Sequence, residues 1–168
     1  MLDGWRWSGI ATLQSGAPLT VSLDNVTVID ATGSHSFSAT AWSGSPTQGS
    51  RVDVLNNTGN IRTMLLAPPP QGTLGNAPKF LFRAPWLNNW DFALFKQIAL
   101  PAKRLKLEIR IEAYNVFNHT NFTTMDTRGR YTIDTTNGNT VTQTNPTFGD
   151  FTAASPKRRL QLAGRLTF

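Results

Sequence analysis

At 168 residues the chain is long enough for one domain with a hydrophobic core, but its composition excludes several classes of protein. Its mean hydropathy is −0.25, and no apolar run approaches the roughly 18 residues that a membrane-spanning helix needs. Cysteine is absent, which excludes disulfides and thiolate metal sites. The net charge of +6 would suit nucleic acid, but the basic residues form no stripe interleaved with stacking aromatic residues, so we expect no nucleic-acid partner.

The first predicted elements are two strands, at 5–14 and 18–23. Alternate residues of the first are apolar or small: Trp5, Trp7, Gly9, Ala11 and Leu13. The run Ser15–Pro18 is a turn signal, and Leu19, Val21 and Leu23 alternate with polar residues after it. The pattern therefore predicts a hairpin between these two strands.

From 24 to 88 the alternation gives way to Gly, Ser, Thr, Asn and Pro. Val26–Ile29 could continue the preceding strand, but Pro68–Pro70 cannot lie inside a sheet because proline lacks the backbone donor that a ladder needs. We expect a long loop over 24–88.

The clearest pattern lies in the next two predicted strands, at 89–100 and 104–117, which are separated by a break at 101–103. The second strand alternates strictly between an apolar set (Leu105, Leu107, Ile109 and Ile111) and a charged set (Arg104, Lys106, Glu108, Arg110 and Glu112). In the first strand, Trp90, Phe92, Leu94 and Ile98 share one parity, but Lys96 falls on it too. This period of two indicates a strand hairpin with one apolar and one polar face.

A second long loop is predicted over 118–157, and a last strand over 158–168. Within the loop, Asn137-Gly138 is a preferred type I′ turn between two short alternating runs and predicts a small hairpin. The apolar parity of the last strand carries Leu160, Leu162, Leu166 and Phe168.

Strand length and connection length together favour a membrane-spanning barrel. A strand that crosses an outer membrane needs roughly 9–11 residues, whereas strands in soluble proteins usually have about 5–6. The connections alternate between short (15–18 and 101–103) and long (24–88 and 118–157), as in barrels with short periplasmic turns and long outer loops. We therefore predict an all-β fold of antiparallel strands in a transmembrane β-barrel of the cell outer membrane. The apolar set would then face lipid and the charged set would line the lumen.

A soluble β-sandwich that binds carbohydrate or mediates adhesion remains the alternative, because a surface strand of a soluble sheet alternates in the same way. The start of the chain has no basic region followed by an apolar run of secretory type. If the chain is an outer-membrane barrel, we expect it to be a piece of something longer.

Several blocks of the sequence resemble the end of TonB-dependent receptors, in particular the Oar-like subgroup with a carboxypeptidase-regulatory-like domain. They are Trp5–Val21, Arg83–Lys96, Glu112–Phe122, Phe148-Gly149 and Arg158–Phe168, although Pro usually stands in the subgroup at the position of Thr120. The resemblance implies that 1–168 is the C-terminal part of a 22-stranded barrel and holds about five of its strands. It also implies uptake of an iron chelate, cobalamin or an oligosaccharide, with an N-terminal plug and a TonB-contacting segment elsewhere in the protein. The ending at Phe168 resembles the C-terminal signal that the barrel-assembly machinery recognises, with Leu160, Leu162 and Leu166 on the same face.

No constellation in the sequence predicts an enzyme, a metal site or a cofactor. Glu108 and Glu112 lie four residues apart on one strand, so their Cα atoms are about 13 Å apart, which is too far for the usual carboxylate pair of a glycosidase. A ladder of opposite charges on a lumen wall is the better interpretation. His35 and His119 are the only histidines and lie in predicted loops without a clear cluster of other ligands.

Overall fold

The computed structural model describes residues 3–45, 47–101 and 105–168, so the predicted lumen residue Arg104 lies outside the described residues. Within them the chain forms strands and one short helix, in this order: β1 (Trp5–Gln14), β2 (Pro18–Leu19), β3 (Ser22–Asp30), β4 (Gly33–Ser38), α1 (Ala39–Ser43), β5 (Asp53–Asn56), β6 (Leu65–Ala67), β7 (Phe82–Arg83), β8 (Leu87–Ala99), β9 (Lys106–Tyr114), β10 (Phe122–Met125), β11 (Arg128–Asp134), β12 (Thr140–Gln143), β13 (Phe151–Ala154) and β14 (Arg159–Thr167). No helix of the described part of the chain is long and apolar enough to cross a membrane.

The chain divides into two compact units. Unit 1 comprises Met1–Gly16, Pro85–Thr123 and Ala154–Phe168, and unit 2 comprises Ala17–Ala84 and Thr124–Ala153. Unit 2 is therefore built from two long connections between strands of unit 1.

Unit 1 is a four-stranded antiparallel sheet in the order β1-β8-β9-β14. The pairing is continuous in register, from Trp5 opposite Lys96 to Gln14 opposite Leu87 and from Thr167 opposite Lys106 to Arg159 opposite Tyr114. Neighbours in the sheet are also neighbours along the chain once unit 2 is set aside, so the sheet is a simple meander. Among the described residues the sheet is not closed, and β1 and β14 are its edges.

The prediction of a hairpin between 5–14 and 18–23 is wrong, because these two segments do not pair with each other. β1 pairs with β8, whereas Pro18 and Leu19 pair with β7, and Ser22 begins a strand of a different sheet. The alternation at Leu19–Leu23 is real, but alternation reports only that a strand has two different faces and does not identify its partner. Unit 1 thus contains four long strands where we expected five.

Unit 2 consists of short sheets, the largest in the order β12-β11-β3-β4. Its pairs are antiparallel except for β11 and β3, which run parallel with a register shift between Gly129 and Arg130. The described chain is therefore mostly antiparallel β-structure, with one five-residue helix. That helix begins after Ser38, whose hydroxyl accepts a hydrogen bond from the Ala41 N–H, and ends at Gly44 in the left-handed region.

Unit 2 has its own hydrophobic core, which the expectation of loops at 24–88 and 118–157 did not include. The buried cluster comprises Val21, Leu23, Val26, Trp42, Val52, Ile61, Ala77 and Tyr131. The Trp42 indole N–H donates to the Pro69 carbonyl at 2.8 Å, so the proline-rich run supplies a core acceptor. These apolar residues come from segments far apart in the chain, so no short window shows a period that would reveal them.

The small hairpin predicted at Asn137-Gly138 is present, but its turn differs. β11 and β12 pair from Tyr131 opposite Gln143 to Asp134 opposite Thr140, which leaves five residues in the connection. The left-handed residues are Gly138 and Asn139 rather than Asn137 and Gly138. The Asp134 carboxylate accepts from the backbone N–H groups of Thr136 and Asn137, so it stabilises a longer turn than the dipeptide predicts.

Candidate functional site: a sheet with one apolar and one charged face

The candidate site is the four-stranded sheet of unit 1, because the register gives it two chemically different faces. Directly paired residues in a sheet lie on the same face, so the apolar parities of the four strands can be compared. Leu94 of β8 lies between Trp7 of β1 and Ile111 of β9, and Ile111 lies opposite Leu162 of β14. The alternating apolar residues of all four strands thus lie on the same face of the sheet.

This apolar face is not part of the buried hydrophobic cluster, all of whose members belong to unit 2. Trp7, Leu160 and Leu162 are 74%, 72% and 73% exposed, and Trp7 stacks on Phe92 with ring centroids 6.1 Å apart. Leu107 and Ile109, which we predict to face lipid, are half-buried, and Ile111 is exposed. A face of this extent suits contact with another apolar medium rather than water.

Among the described strand residues of unit 1, Lys96 is the one cation on the apolar face, and its surroundings account for it. The register is unbroken through Lys96 on both sides, opposite Trp5 and Ile109, so no bulge moves it to the other face. Its ammonium lies 4.8 Å from the Trp5 ring centroid and donates to the Asp3 carbonyl at 2.8 Å. The long side chain therefore carries its charge to the end of the sheet, as a snorkelling lysine does.

The opposite face carries the predicted charged ladder. Arg6 of β1 forms an ion pair with Glu108 of β9 at 3.1 Å, and Arg110 forms one with Glu112. Both guanidinium groups lie over the ring of Phe95, at 5.6 and 5.0 Å from its centroid.

The ladder is therefore a network of two ion pairs, one joining β1 to β9 and one within β9, and the Phe95 ring of β8 contacts both guanidinium groups. Lys106, the first residue of β9, is exposed and lies opposite Thr167 of β14. Arg6 and Phe95 were not singled out from the sequence. Both residues alternate with the apolar residues of their strands, β1 and β8. Once the strand order was known, this position would have placed them on the charged face.

The structure places the predicted assembly-signal residues on the edge strand. Leu160, Leu162 and Leu166 lie on the apolar face of β14, opposite Ala113, Ile111 and Leu107. Phe168 follows the end of β14 and is 95% exposed. The four side chains are thus at or beyond an open edge of the sheet, where another strand or protein can reach them.

An asparagine cluster at the opposite end of the sheet was not predicted. Asn121 is 2% exposed, and its amide forms two hydrogen bonds with the backbone of Asn88, accepting from the N–H at 2.9 Å and donating to the carbonyl at 3.0 Å.

Asn115, also buried, joins the same end of the sheet to its loop. Its amide donates to the His119 carbonyl and accepts from the His119 N–H, while its own N–H donates to Asp91. The cluster therefore explains why the block at 112–122 is rich in asparagine: the side chains close a loop where no ladder continues. Repeated asparagines beside a strand end are the signal that could have found it.

No cluster of three or more His, Cys, Asp or Glu side chains that could hold a metal ion occurs among the described residues. Glu108 and Glu112 of the charged face are instead paired with Arg6 and Arg110. The arrangement offers a surface of fixed, alternating charge on one side and a hydrophobic surface on the other.

Comparison with known protein families matches this chain to an outer-membrane family. The model of a family described as "Outer membrane beta barrel domain" matches residues 1–161. No curated protein and no solved structure matches the chain.

Proposed function

This chain belongs to the family of outer membrane beta barrel domains, and we propose that it is part of the barrel wall of a TonB-dependent receptor. Its location is the cell outer membrane. In the proposed receptor the chain forms a C-terminal part of a 22-stranded barrel that takes up a scarce ligand, such as an iron chelate, cobalamin or an oligosaccharide. The rest of the barrel, the plug and the TonB-contacting segment lie elsewhere in the protein.

The observation that carries this proposal is the two-faced meander of unit 1. Its strands have 10, 13, 9 and 9 residues, close to the roughly 9–11 that a tilted strand needs to cross the membrane. The short connection between β8 and β9 leaves one end of the sheet, and both long connections leave the other. Short periplasmic turns and long outer connections are typical of outer-membrane barrels, so we assign unit 2 to the extracellular side.

Lipid is the first partner in this proposal and the rest of the barrel is the second. The exposed apolar face contacts lipid, while the network of Arg6, Glu108 and Arg110 lines the lumen. The edges β1 and β14 need neighbouring strands, because backbone groups within the bilayer must find hydrogen-bond partners in the protein. The 168-residue chain by itself is therefore not a transporter, and we propose no catalytic activity for it.

TonB and the barrel-assembly machinery are the remaining proposed partners. The assignment to TonB-dependent receptors is supported by the resemblance of Arg83–Lys96 and Glu112–Phe122 to blocks near the end of those proteins. The assembly machinery would recognise Phe168 and the apolar residues of β14.

The first test of the proposal is the DNA sequence upstream of the segment that encodes this chain. The reading frame that contains this chain should encode a plug and further strands upstream. Cells that express this reading frame are then grown with an iron chelate, cobalamin or an oligosaccharide as the limiting nutrient, with and without TonB. If growth on one of these nutrients requires both the protein and TonB, the assignment to a TonB-dependent receptor is supported. A frame without a plug, or uptake unaffected by loss of TonB, would leave a barrel with a different task.

A further inference from the structure

A cleft of about 280 Å³ opens on the sheet of unit 1, and residues from all four strands line it. This volume is just below the roughly 300–1,000 Å³ of small-molecule sites, so the cleft suits a small molecule or one unit of a larger one. All of its lining residues belong to unit 1. Those that lie on the strands are Thr12 of β1, Leu87, Asn89 and Asp91 of β8, Tyr114 of β9 and Arg159 of β14.

The register places this cleft on the charged face of the sheet. Asp91 lies four residues before Phe95 on β8 and therefore shares its face. Tyr114 likewise lies four residues after Arg110 on β9, and Arg159 is directly opposite Tyr114. β8 begins and β9 ends beside the cleft, so it lies away from their short connection, at the end of the sheet that we assign to the extracellular side.

The cleft carries more positive than negative charge. The charged residues among those that line it are Asp91, Lys157 and Arg159, and none of the three forms an ion pair with a described residue. Lys157 and Arg159 are both exposed. The Arg159 guanidinium lies 5.8 Å from the centroid of the Tyr114 ring, which positions this cation without neutralising it. Two such cations in one cleft favour a ligand with an anionic group.

Buried asparagines hold the segment that carries Lys157 in place. The Ser155 N–H donates to the Asn121 carbonyl at 2.7 Å, and the Asn115 amide donates to the Pro156 carbonyl at 3.4 Å. Asn115 and Asn121 are only 6% and 2% exposed. Hydrogen bonds within the protein thus fix this wall of the cleft before a ligand arrives, which lowers the entropy cost of binding.

Asp91 limits which anions the cleft can accept. Its Oδ1 accepts hydrogen bonds from the Asn115 N–H and from the Asn89 side-chain amide, both at 2.9 Å, so the carboxylate is held in position. Its second oxygen accepts no hydrogen bond from a described residue. The carboxylate repels an anion that has no hydrogen-bond donor, whereas a ligand that also carries hydroxyl groups can donate one to it.

We propose that this cleft binds an acidic sugar, whose carboxylate is bound by Lys157 and Arg159 and whose hydroxyl donates to Asp91. A sugar acid carries both the negative charge that the two cations select and the donors that Asp91 requires. The inference rests on the proposed function, because the charged face must line the lumen for a transported ligand to pass this site. Of the ligand classes named there, it selects an oligosaccharide that bears carboxylate groups.

The test is isothermal titration calorimetry of trigalacturonate, an acidic trisaccharide, with the full-length protein that contains this chain, purified in detergent. One control ligand is its methyl triester, which has the same sugar rings and no negative charge. The other is propane-1,2,3-tricarboxylate, which has three carboxylates and no hydroxyl. We expect saturable binding of trigalacturonate and binding of both controls that is weaker by about 10-fold or more. No binding of trigalacturonate, or comparable binding of either control ligand, would overturn the proposal.

Variants then locate the binding in this cleft. Arg159→Gln and Lys157→Gln each remove one exposed cation and should weaken trigalacturonate binding about 3- to 10-fold. The matched control is Arg165→Gln, which removes a cation from the same face of β14 outside the cleft and should leave the affinity unchanged. Unchanged affinity in both cleft variants, or an equal loss in Arg165→Gln, would place the binding elsewhere and overturn the proposal.

The calorimetry requires neither TonB nor transport. A failure of this site therefore leaves the assignment to a TonB-dependent receptor intact, and that assignment fails separately if uptake does not depend on TonB.

Discussion

The ammonium of Lys96 lies 4.8 Å from the centre of the Trp5 ring, on the face of the sheet that otherwise carries apolar side chains. Trp5 is the first residue of β1 and pairs with Lys96, and the charge also reaches the Asp3 carbonyl. An aromatic ring and a backbone carbonyl at the end of a membrane strand form an interfacial environment, so the cation does not have to enter the hydrocarbon.

This relationship predicts that the apolar face tolerates a lysine at position 96 but not at position 94, the next position on the same face. Lys96→Leu should change the free energy of unfolding of the barrel in lipid by less than about 1 kcal/mol, since it loses one cation–π contact and gains apolar surface. Leu94→Lys, one step further along the same face, should destabilise by about 2–4 kcal/mol. Urea unfolding in lipid vesicles measures both, and a large stabilisation by Lys96→Leu would show that the lysine is not at the interface.

Asn121 is predicted to be needed for the outer end of the sheet. Asn121→Ala leaves the N–H and the carbonyl of Asn88 without their partners, which should cost about 2–4 kcal/mol if each loses about 1–2. Thr120→Ala, an exposed neighbour in the same loop, is the control and should have little effect. Hydrogen exchange at Asn88 measures the local loss, and exchange as slow as in the unchanged protein would contradict this role.

A third prediction concerns the buried carboxylate of Asp126 in unit 2. Burial alone would raise its pKa, but hydrogen bonds from Asn145, Arg128 and Thr147 outweigh burial and hold the pKa well below its usual range. Asp126→Asn replaces one acceptor oxygen by a donor and leaves at least one of these groups unpaired, which should destabilise unit 2 by about 1–3 kcal/mol.

The sign of the pH dependence follows from the lowered pKa of Asp126. These hydrogen bonds contribute stability that is fully present above the unfolded pKa of about 3.9 and is lost as the pH falls through the lower folded pKa. The difference between Asp126→Asn and the unchanged chain should therefore be constant from neutral pH to about pH 5 and shrink only in stronger acid. Proteolysis between residues 124 and 153 across this range measures it, and a difference that disappears already at pH 6 would contradict the assignment.

The strands of unit 1 could be predicted because their pattern is local. Leu107, Glu108 and Ile109 already show the alternation within three residues, and it continues through β9. Pairing could not be predicted in the same way, since the alternation at Leu19–Leu23 is equally compatible with a place in either unit. The core of unit 2 was missed because Val21 and Tyr131 are buried together although more than a hundred residues separate them in the chain.

In the candidate site, the charged residues of β9 could be predicted from the sequence, but the residues that pair with them on other strands could not. Glu108 is paired with Arg6, which lies two strands away, and the strand order that joins them depends on skipping unit 2. The cleft at Tyr114 and Arg159 likewise needs the register of β9 with β14.

Phe168 is predicted to act in assembly rather than in the finished barrel. In the protein that contains this chain, Phe168→Ala should lower the amount assembled in the outer membrane and leave degradation products in the periplasm. Phe117→Ala removes an equally large, exposed ring and should affect assembly much less. Normal assembly of Phe168→Ala, with only a stability loss of about 1–3 kcal/mol, would show that the ring is a membrane-interface contact and not a signal.

The central claim is that the apolar face of unit 1 contacts lipid, and the absence of cysteine makes a direct measurement possible. Single cysteines are placed at each position from Lys106 to Ile111 of β9, coupled to a bimane fluorophore, and the barrel is placed in vesicles that contain nitroxide-labelled lipid. The account predicts that nitroxide quenches fluorescence strongly at Leu107, Ile109 and Ile111 and weakly at Lys106, Glu108 and Arg110. Equal quenching at neighbouring positions, or stronger quenching at Glu108 than at Ile109, would contradict it.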